Sequence, residues 1–266
     1  MSGPVGSGEG PADSRELSWY RLDVEYEGTA FKGWAKQPGQ RTVQAELERV
    51  LAMLLRRPVA LRVAGRTDAG VHAWAQVVSF ATAAPVRPDE LRLGLNAVLP
   101  DDVAVWAVSQ APPGFDARAA RSRTYQYRLW VSPVRPVRER RCVWHVHGAL
   151  DTEVLQAAAG RFVGRRDWSA LTPSARLYRT CEREVLGAAW RPGPAAPGTR
   201  ADEWVFDITA ESFLHNMVRV AVGTMVDVAR GRMSLEETDH ALASGERRHM
   251  GRTAPARGLA LVGVEY

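Results

Sequence analysis

Cysteine and long apolar runs are both scarce in this chain of 266 residues. The two cysteines, Cys142 and Cys181, are far apart and form no C-x-x-C pair, so we expect two unpaired thiols. No apolar stretch approaches the roughly 20 residues that a membrane-spanning helix needs. The first sixteen residues, MSGPVGSGEGPADSRE, lack the basic start and apolar stretch of a signal peptide and are expected to form a disordered tail. These features predict a cytoplasmic protein without membrane contact.

Lysine is scarce as well. Lys32 and Lys36 are the only two, so 35 − 2 leaves 33 arginines, and the net charge is +5. Arginine pairs bidentately with phosphate and stacks on bases, although GC-rich codon usage explains the overall excess equally well. Clustering is harder to attribute to codon usage, and it favours a surface that binds a polyanion. The three clusters are Arg118, Arg121, Arg123 and Arg128; Arg135, Arg138, Arg140 and Arg141; and Arg161, Arg165 and Arg166.

Apolar periodicity predicts a mixture of strands and helices along the whole chain. Strands are predicted at 19–26, 59–64, 76–80, 103–108, 123–131, 182–190, 204–210 and 259–266. Helices are predicted at 42–55, 88–96, 151–162 and 213–230, and after a capping box formed by Ser234 and Glu237.

Neither half of the chain shows a strict alternation of strand and helix. This favours an α+β fold rather than an α/β fold. We expect two mixed domains, at 17–112 and 113–266, each an antiparallel sheet with helices. The domains are expected to meet at a central basic cleft.

Metal-ligand patterns are weak. His145 and His147 lie two residues apart, which places them on one face of a strand, but no third ligand is nearby. A polar strand face explains the pair better than a metal site does. We expect no metal.

The segment GRTDAGVHA is the most informative part of the sequence. It is a polar loop between two apolar strands, where a rigid scaffold commonly presents reactive groups. Gly65 and Gly70 permit close backbone approach, and the spacing of Arg66 and Asp68 places both side chains on one face of an extended chain. A nearby cation would keep Asp68 ionised. From spacing alone, a tight turn with a capping aspartate is the simpler interpretation.

GRTDAGVHA also resembles the signature of the tRNA pseudouridine synthase A (TruA-type) family. Further segments resemble the family in the same order between Tyr26 and Leu261. They are YEGTAFKGWAKQP, LRLGLNAVLPDD, FDARAARSRTYQYRLW, FLHNMVRVAVGTMVDVARGR and TAPARGLAL. Several ordered motifs are much more specific than one loop.

The resemblance implies the pseudouridine synthase fold and an isomerase that converts uridine to pseudouridine at tRNA positions 38, 39 and 40, in the anticodon arm. Substrate and product are isomers, so no redox cofactor or energy source is needed, and we expect no cofactor. It also implies a homodimer that binds tRNA. Asp68 would be the catalytic nucleophile, with attack at ribose C1′ or at uracil C6 both open.

Four further positions match residues of the family's site. Arg219 in FLHNMVR would pair with Asp68, although it would otherwise be interpreted as a helix-surface arginine. Tyr125 would stack on the displaced uracil and assist removal of the C5 proton, and by itself would be interpreted as a core aromatic. Leu259 would line the pocket and exclude water. Arg66 would occupy the space left by the flipped base or hold a backbone phosphate.

Other functions remain open at this point. A pseudouridine synthase with a different RNA target would carry the same motifs. A non-catalytic RNA-binding protein would share the basic character but would not depend on Asp68. A hydrolase acting on the N-glycosidic bond usually recruits two carboxylates, and Asp68 has no partner carboxylate in its loop.

Overall fold

The computed structural model describes residues 17–194 and 201–266, so the predicted tail at 1–16 lies outside the described residues. Within these ranges no helix is both long and apolar enough to cross a membrane. The strands are β1 Ser18–Tyr26, β2 Arg62–Val63, β3 His72–Thr82, β4 Val103–Ala111, β5 Ser122–Val131, β6 Trp144–Val146, β7 Gly164–Asp167, β8 Glu182–Pro192, β9 Asp202–Ala210 and β10 Leu259–Glu265. The α-helices are α1 Val43–Leu55, α2 Pro88–Val98, α3 Thr152–Ala159, α4 Met217–Val228 and α5 Leu235–Ser244.

The described strands form one mixed sheet in the order β4-β1-β3-β10-β5-β9-β8-β7, with β2 added to β3 and β6 added to β5. This confirms the α+β class. The two halves share this single sheet instead of each having its own, because β10 pairs with β3 in parallel and with β5 in antiparallel orientation. Leu259, Ala260 and Leu261 are all buried, as expected for a central strand. The domain boundary at 112/113 stays a prediction.

Helix starts agree well with the capping residues in the sequence. Thr42 accepts a hydrogen bond from the Ala45 amide at 3.4 Å, and Asp151 accepts one from the Val154 amide at 3.0 Å. The capping box of α5 is present with both of its reciprocal hydrogen bonds.

Several element predictions were wrong in extent, and the strand predicted at 76–80 extends over His72–Thr82. The strand predicted at 59–64 is reduced to Arg62–Val63. The helix predicted at 213–230 begins only at Met217, because Asn216 adopts a left-handed backbone conformation with φ of 62°. Asparagine tolerates this conformation better than most residues do. The four residues before the helix therefore form an irregular segment that is free to line a site.

Helix α4 is buried on nearly every side. It packs against α3, and both lie against the second half of the sheet. An apolar helix buried all round forms the centre of a core and holds a fixed position. Side chains at its first turns are therefore presented rigidly.

Candidate active site

The loop between β2 and β3 is held by hydrogen bonds at its start and in its middle. The Gln76 side-chain amide donates to the Gly65 carbonyl at 2.7 Å and accepts from the Gly65 amide at 3.4 Å. In the middle of the loop, the Thr67 hydroxyl lies 2.7 Å from the Tyr26 hydroxyl, and the Thr67 carbonyl accepts from the Trp34 amide at 3.0 Å. Since Gln76 and Thr67 are buried, these bonds are shielded from water and fix the loop.

Asp68 is presented at the tip of this fixed loop, with its side chain 30% exposed. Its Oδ2 lies 3.9 Å from Nη1 of Arg219, and its Oδ1 lies 3.6 Å from Nε2 of His215. These separations are longer than hydrogen bonds, so neither neighbour occupies the carboxylate oxygens. The structure thus brings together Asp68 and Arg219, which are distant in sequence.

Arg219 is held in place by groups other than Asp68. Its Nε donates to the Ala254 carbonyl at 2.8 Å, and its Nη1 donates to Oδ1 of Asn216 at 2.8 Å. The Ala254 amide in turn donates to the Arg219 carbonyl at 2.9 Å. The guanidinium is therefore fixed before any substrate binds, and it supplies a positive charge beside the carboxylate.

A cavity of about 630 Å³ opens next to Asp68. Tyr125 on β5 and Leu259 at the start of β10 line it, and both are almost fully buried. The ring of Phe213 meets the Tyr125 ring edge-on, with 5.0 Å between centroids. Burial raises the pKa of the Tyr125 hydroxyl above its ordinary value, and the nearby Tyr26 and Asp68 add to the effect. The hydroxyl is therefore neutral and able to donate a proton or a hydrogen bond.

Arg66 is exposed at the rim of this cavity. Its guanidinium makes no hydrogen bond or ion pair with any residue in 17–194 or 201–266. All five residues predicted for the site, Asp68, Arg66, Tyr125, Arg219 and Leu259, thus line one cavity or contact its walls.

Sequence reasoning missed His215. Its Nδ1 lies 2.9 Å from the Ser174 hydroxyl, and its backbone amide donates to the Tyr178 hydroxyl at 2.9 Å. These contacts direct Nε2 towards Asp68. The available signal was Asn216, which tolerates a left-handed conformation and so marks a possible helix start after His215.

The arginine clusters differ in their surroundings. Arg123 is buried and donates to four backbone carbonyls, so it has a structural role. Arg128 pairs with Glu203 at 2.6 Å, and Arg165 pairs with Glu184 at 2.6 Å. All four arginines of the second cluster, in 135–141, are exposed. RNA contact by the clusters stays a prediction.

His72, directly after the Asp68 loop, is a buried link between distant segments. Its Nδ1 accepts from the Gly28 amide at 3.0 Å. Nε2 must then carry the proton, and it lies 2.9 Å from the Arg141 carbonyl and 3.1 Å from the Arg257 carbonyl. A second proton would have to face the Gly28 N–H group, so the site favours neutral imidazole.

This link predicts a loss of stability in mild acid. Burial lowers the pKa of His72, and the two carbonyls and Glu27 oppose the shift only in part. The unfolded chain takes up a proton near pH 6.5, which the folded site resists. The contribution of His72 is therefore complete above about pH 6.5 and is lost as the pH falls below it. Urea unfolding between pH 8 and pH 5 measures this effect.

An exposed histidine offers the control. His240→Gln is expected to leave the pH dependence of the free energy of unfolding unchanged, because His240 is exposed on α5. NMR titration of the His72 ring gives a direct check. A folded-state pKa at or above the ordinary value for histidine would contradict the prediction.

Comparison with known proteins assigns the chain. Residues 24–118 and 158–266 match the family model described as tRNA pseudouridine synthase. The tRNA pseudouridine synthase A of Pelobacter propionicus is 40% identical over 247 residues, which cover 92% of this chain and 98% of that protein. That of Syntrophotalea carbinolica is 40% identical over 252 residues, covering 94% and 97%. That of Methylobacterium nodulans is 40% identical over 249 residues, covering 93% and 95%.

A crystal structure of an unknown protein from Galdieria sulphuraria covers 73% of this chain and 82% of that one, with 11% identity and a TM-score of 0.23. This score is too low to carry an argument. The sequence matches are sufficient, because they extend over nearly the whole length of both partners and confirm the family that the motifs predicted. The chain belongs to the tRNA pseudouridine synthase family.

Proposed function

We propose that the chain isomerises uridine to pseudouridine at positions 38, 39 and 40 in the anticodon arm of tRNA, with Asp68 as the nucleophile. One observation carries the proposal. The Asp68 carboxylate stands at the mouth of a cavity, beside the fixed cation of Arg219, and no described residue donates a hydrogen bond to its oxygens. A carboxylate whose oxygens are unoccupied beside a fixed cation is suited to attack an electrophilic carbon.

The reaction balances without a co-reactant. The bond from N1 of uracil to C1′ of ribose breaks, the base turns, and a bond forms from C5 to C1′. The proton on C5 leaves and N1 gains one, so substrate and product have the same atoms. Asp68 can carry the reaction by bonding to C1′ or to C6 while the base turns, and it is released when the new bond forms.

The cavity is large enough for a flipped base and has a suitable lining. Tyr125 and Phe213 give it two aromatic rings set edge-on to each other, and Leu259 gives it an apolar wall. A base inside a stem has to be unstacked before it can react, at a cost of a few kcal/mol. Stacking on the Tyr125 ring offsets part of that cost, and Leu259 limits the access of water to the reacting atoms.

Each polar neighbour has a proposed role. Arg219 supplies a fixed positive charge beside Asp68. The neutral hydroxyl of Tyr125 is the group that we assign to proton transfer at C5. Arg66, which has no partner among the described residues, is placed to fill the space left by the base or to bind a phosphate. His215 presents an imidazole nitrogen beside Asp68.

The proposal extends to the protein's partner and place of action. The TruA-type resemblance supports a homodimer that acts in the cytoplasm, with tRNA in contact with both subunits. The shallow, wide minor groove of RNA favours recognition by shape and backbone charge, which suits an enzyme that acts at adjacent positions.

Position-resolved mapping of pseudouridine tests the function. Purified protein incubated with unmodified tRNA in the presence of a chelator is expected to convert uridines at positions 38, 39 and 40. No metal or nucleotide is required, because the reaction is an isomerisation. Pseudouridine at other positions only would reassign the RNA target. Release of free uracil would indicate a hydrolase instead.

A further inference from the structure

A second cavity, of about 430 Å³, opens beside the first. The two cavities share five residues, which are Trp34, Arg66, Thr67, Asp68 and His215. The Asp68 carboxylate therefore stands between two recesses, of which the proposed reaction uses one. The second recess has no assigned ligand.

Both cavities contain basic residues, because Arg66 lines both and three further arginines line the first, but their aromatic and amide residues differ. The first is built around Tyr125, Phe213 and Leu259, which suit the flat faces of a base. The second is lined by the cations of Lys32 and Arg66 and by two glutamine amides. Cations and amide donors of this kind bind phosphate oxygens.

The substrate's own connectivity relates the two recesses. When uracil occupies the first cavity, its ribose has to lie at Asp68, because C1′ is a reacting atom. That ribose carries a phosphate on each side, and the strand has to continue past Asp68 to reach the next nucleotide. We propose that the second cavity binds the backbone phosphate between the flipped uridine and its neighbour, with Lys32 and Arg66 as the cationic contacts. This inference rests on the proposed function.

The backbone of Lys32 is fixed in position at the second cavity. Its amide donates to the Arg41 carbonyl at 2.9 Å, and its carbonyl accepts from the Gln37 side chain at 3.2 Å. Two residues later, the Trp34 amide donates to the Thr67 carbonyl at 3.0 Å. The Lys32 backbone is thereby attached to the loop that carries Asp68. The position of the Lys32 backbone relative to the Asp68 loop is thus constrained by the fold.

The ammonium group of Lys32 is unengaged. It is exposed, and it makes no ion pair or hydrogen bond with the residues at 17–194 and 201–266. Lys36, the only other lysine, pairs with Oε2 of Glu48 at 3.1 Å on the adjacent helix α1. Among the described residues, one lysine is thus free to meet a phosphate and the other is paired with a carboxylate.

The experiment combines a charge deletion in the protein with one in the RNA. A set of anticodon-arm hairpins is prepared. In each hairpin, one of the phosphates that flank the target uridine is replaced by a neutral methylphosphonate. For the wild-type protein, one such substitution is expected to lower kcat/KM by at least about fivefold, because it removes the charge that both Lys32 and Arg66 meet. Lys32→Ala should lower kcat/KM by about fivefold with the natural hairpin, the size of one partly exposed charge contact, and cause no further loss with that methylphosphonate. Lys36→Ala should behave as the wild type.

Salt dependence gives a second readout. Lys32→Ala is expected to reduce the slope of log Kd against log salt by about 0.7 to 0.9, the contribution of one phosphate contact. An unchanged kcat/KM in Lys32→Ala would overturn the inference. So would a loss from Lys32→Ala that multiplies with the methylphosphonate loss at every flanking phosphate. In both cases pseudouridine formation by the wild type would still stand. Failure of the wild type to modify any tRNA would overturn the proposed function itself.

Discussion

Asp68→Asn is expected to reduce pseudouridine formation by more than about 10³-fold, while the affinity for tRNA stays within about twofold. The amide has nearly the same shape as the carboxylate, so the loop held by Gln76 and Thr67 should keep its conformation. The amide is uncharged and is a poor nucleophile. Binding depends on the surrounding cations, which are unchanged. Single-turnover kinetics and filter binding on the same tRNA separate the two effects.

A second carboxylate provides the matched control. Asp89 on α2 is 95% exposed, and its carboxylate lies 4.0 Å from the guanidinium of Arg92. Asp89→Asn removes the same charge at a distance from the cavity and is expected to leave turnover unchanged. Full activity in Asp68→Asn would show that another group reacts, whereas loss of binding together with activity would favour an RNA-contact role for the carboxylate.

Gly223→Ala is expected to destabilise the protein by about 3 kcal/mol. Gly223 lies in α4, where an added Cβ would come within 1.8 Å of the Arg252 carbonyl oxygen. That oxygen belongs to backbone, so the helix and the 252–254 segment would have to separate. The same segment holds Arg219 through the Ala254 carbonyl. We therefore expect activity to fall as well, because Arg219 would lose its fixed position beside Asp68.

Thermal unfolding measures this effect. At about 2 to 4 °C per kcal/mol for a chain of this size, the expected decrease in Tm is roughly 6 to 12 °C. Gly160→Ala is the control, because Gly160 follows α3 with a φ of −60° and an added Cβ would contact nothing within 4 Å. That variant should be neutral or slightly stabilised. A Gly223→Ala protein with wild-type Tm would contradict the close approach.

Local features of the structure were predictable from the sequence. Thr42 and Asp151 cap helices because their side-chain oxygens accept from amides that have no partner in the first turn. Alternating apolar residues predicted β1, and the apolar run at the start of β10 predicted that strand. These signals operate over a few residues, so they can be identified without knowing the fold.

Long-range pairing was not predictable from the residues alone. The segment LALVGVE does not indicate that β10 lies between β3 and β5. Its apolar residues predict a buried strand, but they do not predict which strands it pairs with. The approach of Arg219 to Asp68 depends on that arrangement. It was inferred from the family resemblance, and spacing would have left Asp68 as a turn residue.

His215 shows why part of the site was missed. The apolar pattern from Phe213 onward continues smoothly into α4, so a helix over the whole segment was the natural prediction. The left-handed conformation of Asn216 interrupts that helix and redirects His215 towards Asp68. A single backbone angle, which periodicity does not encode, decides where this side chain lies.

The central place of β10 also determines the order in which the protein can be assembled. Because β3 and β5 precede β10 in the chain, the strand that joins them is synthesised after both, and until then their facing edges lack a partner. Leu259 and the Arg257 carbonyl that meets His72 belong to that late segment. A chain that stops before residue 259 therefore lacks one wall of the recess beside Asp68.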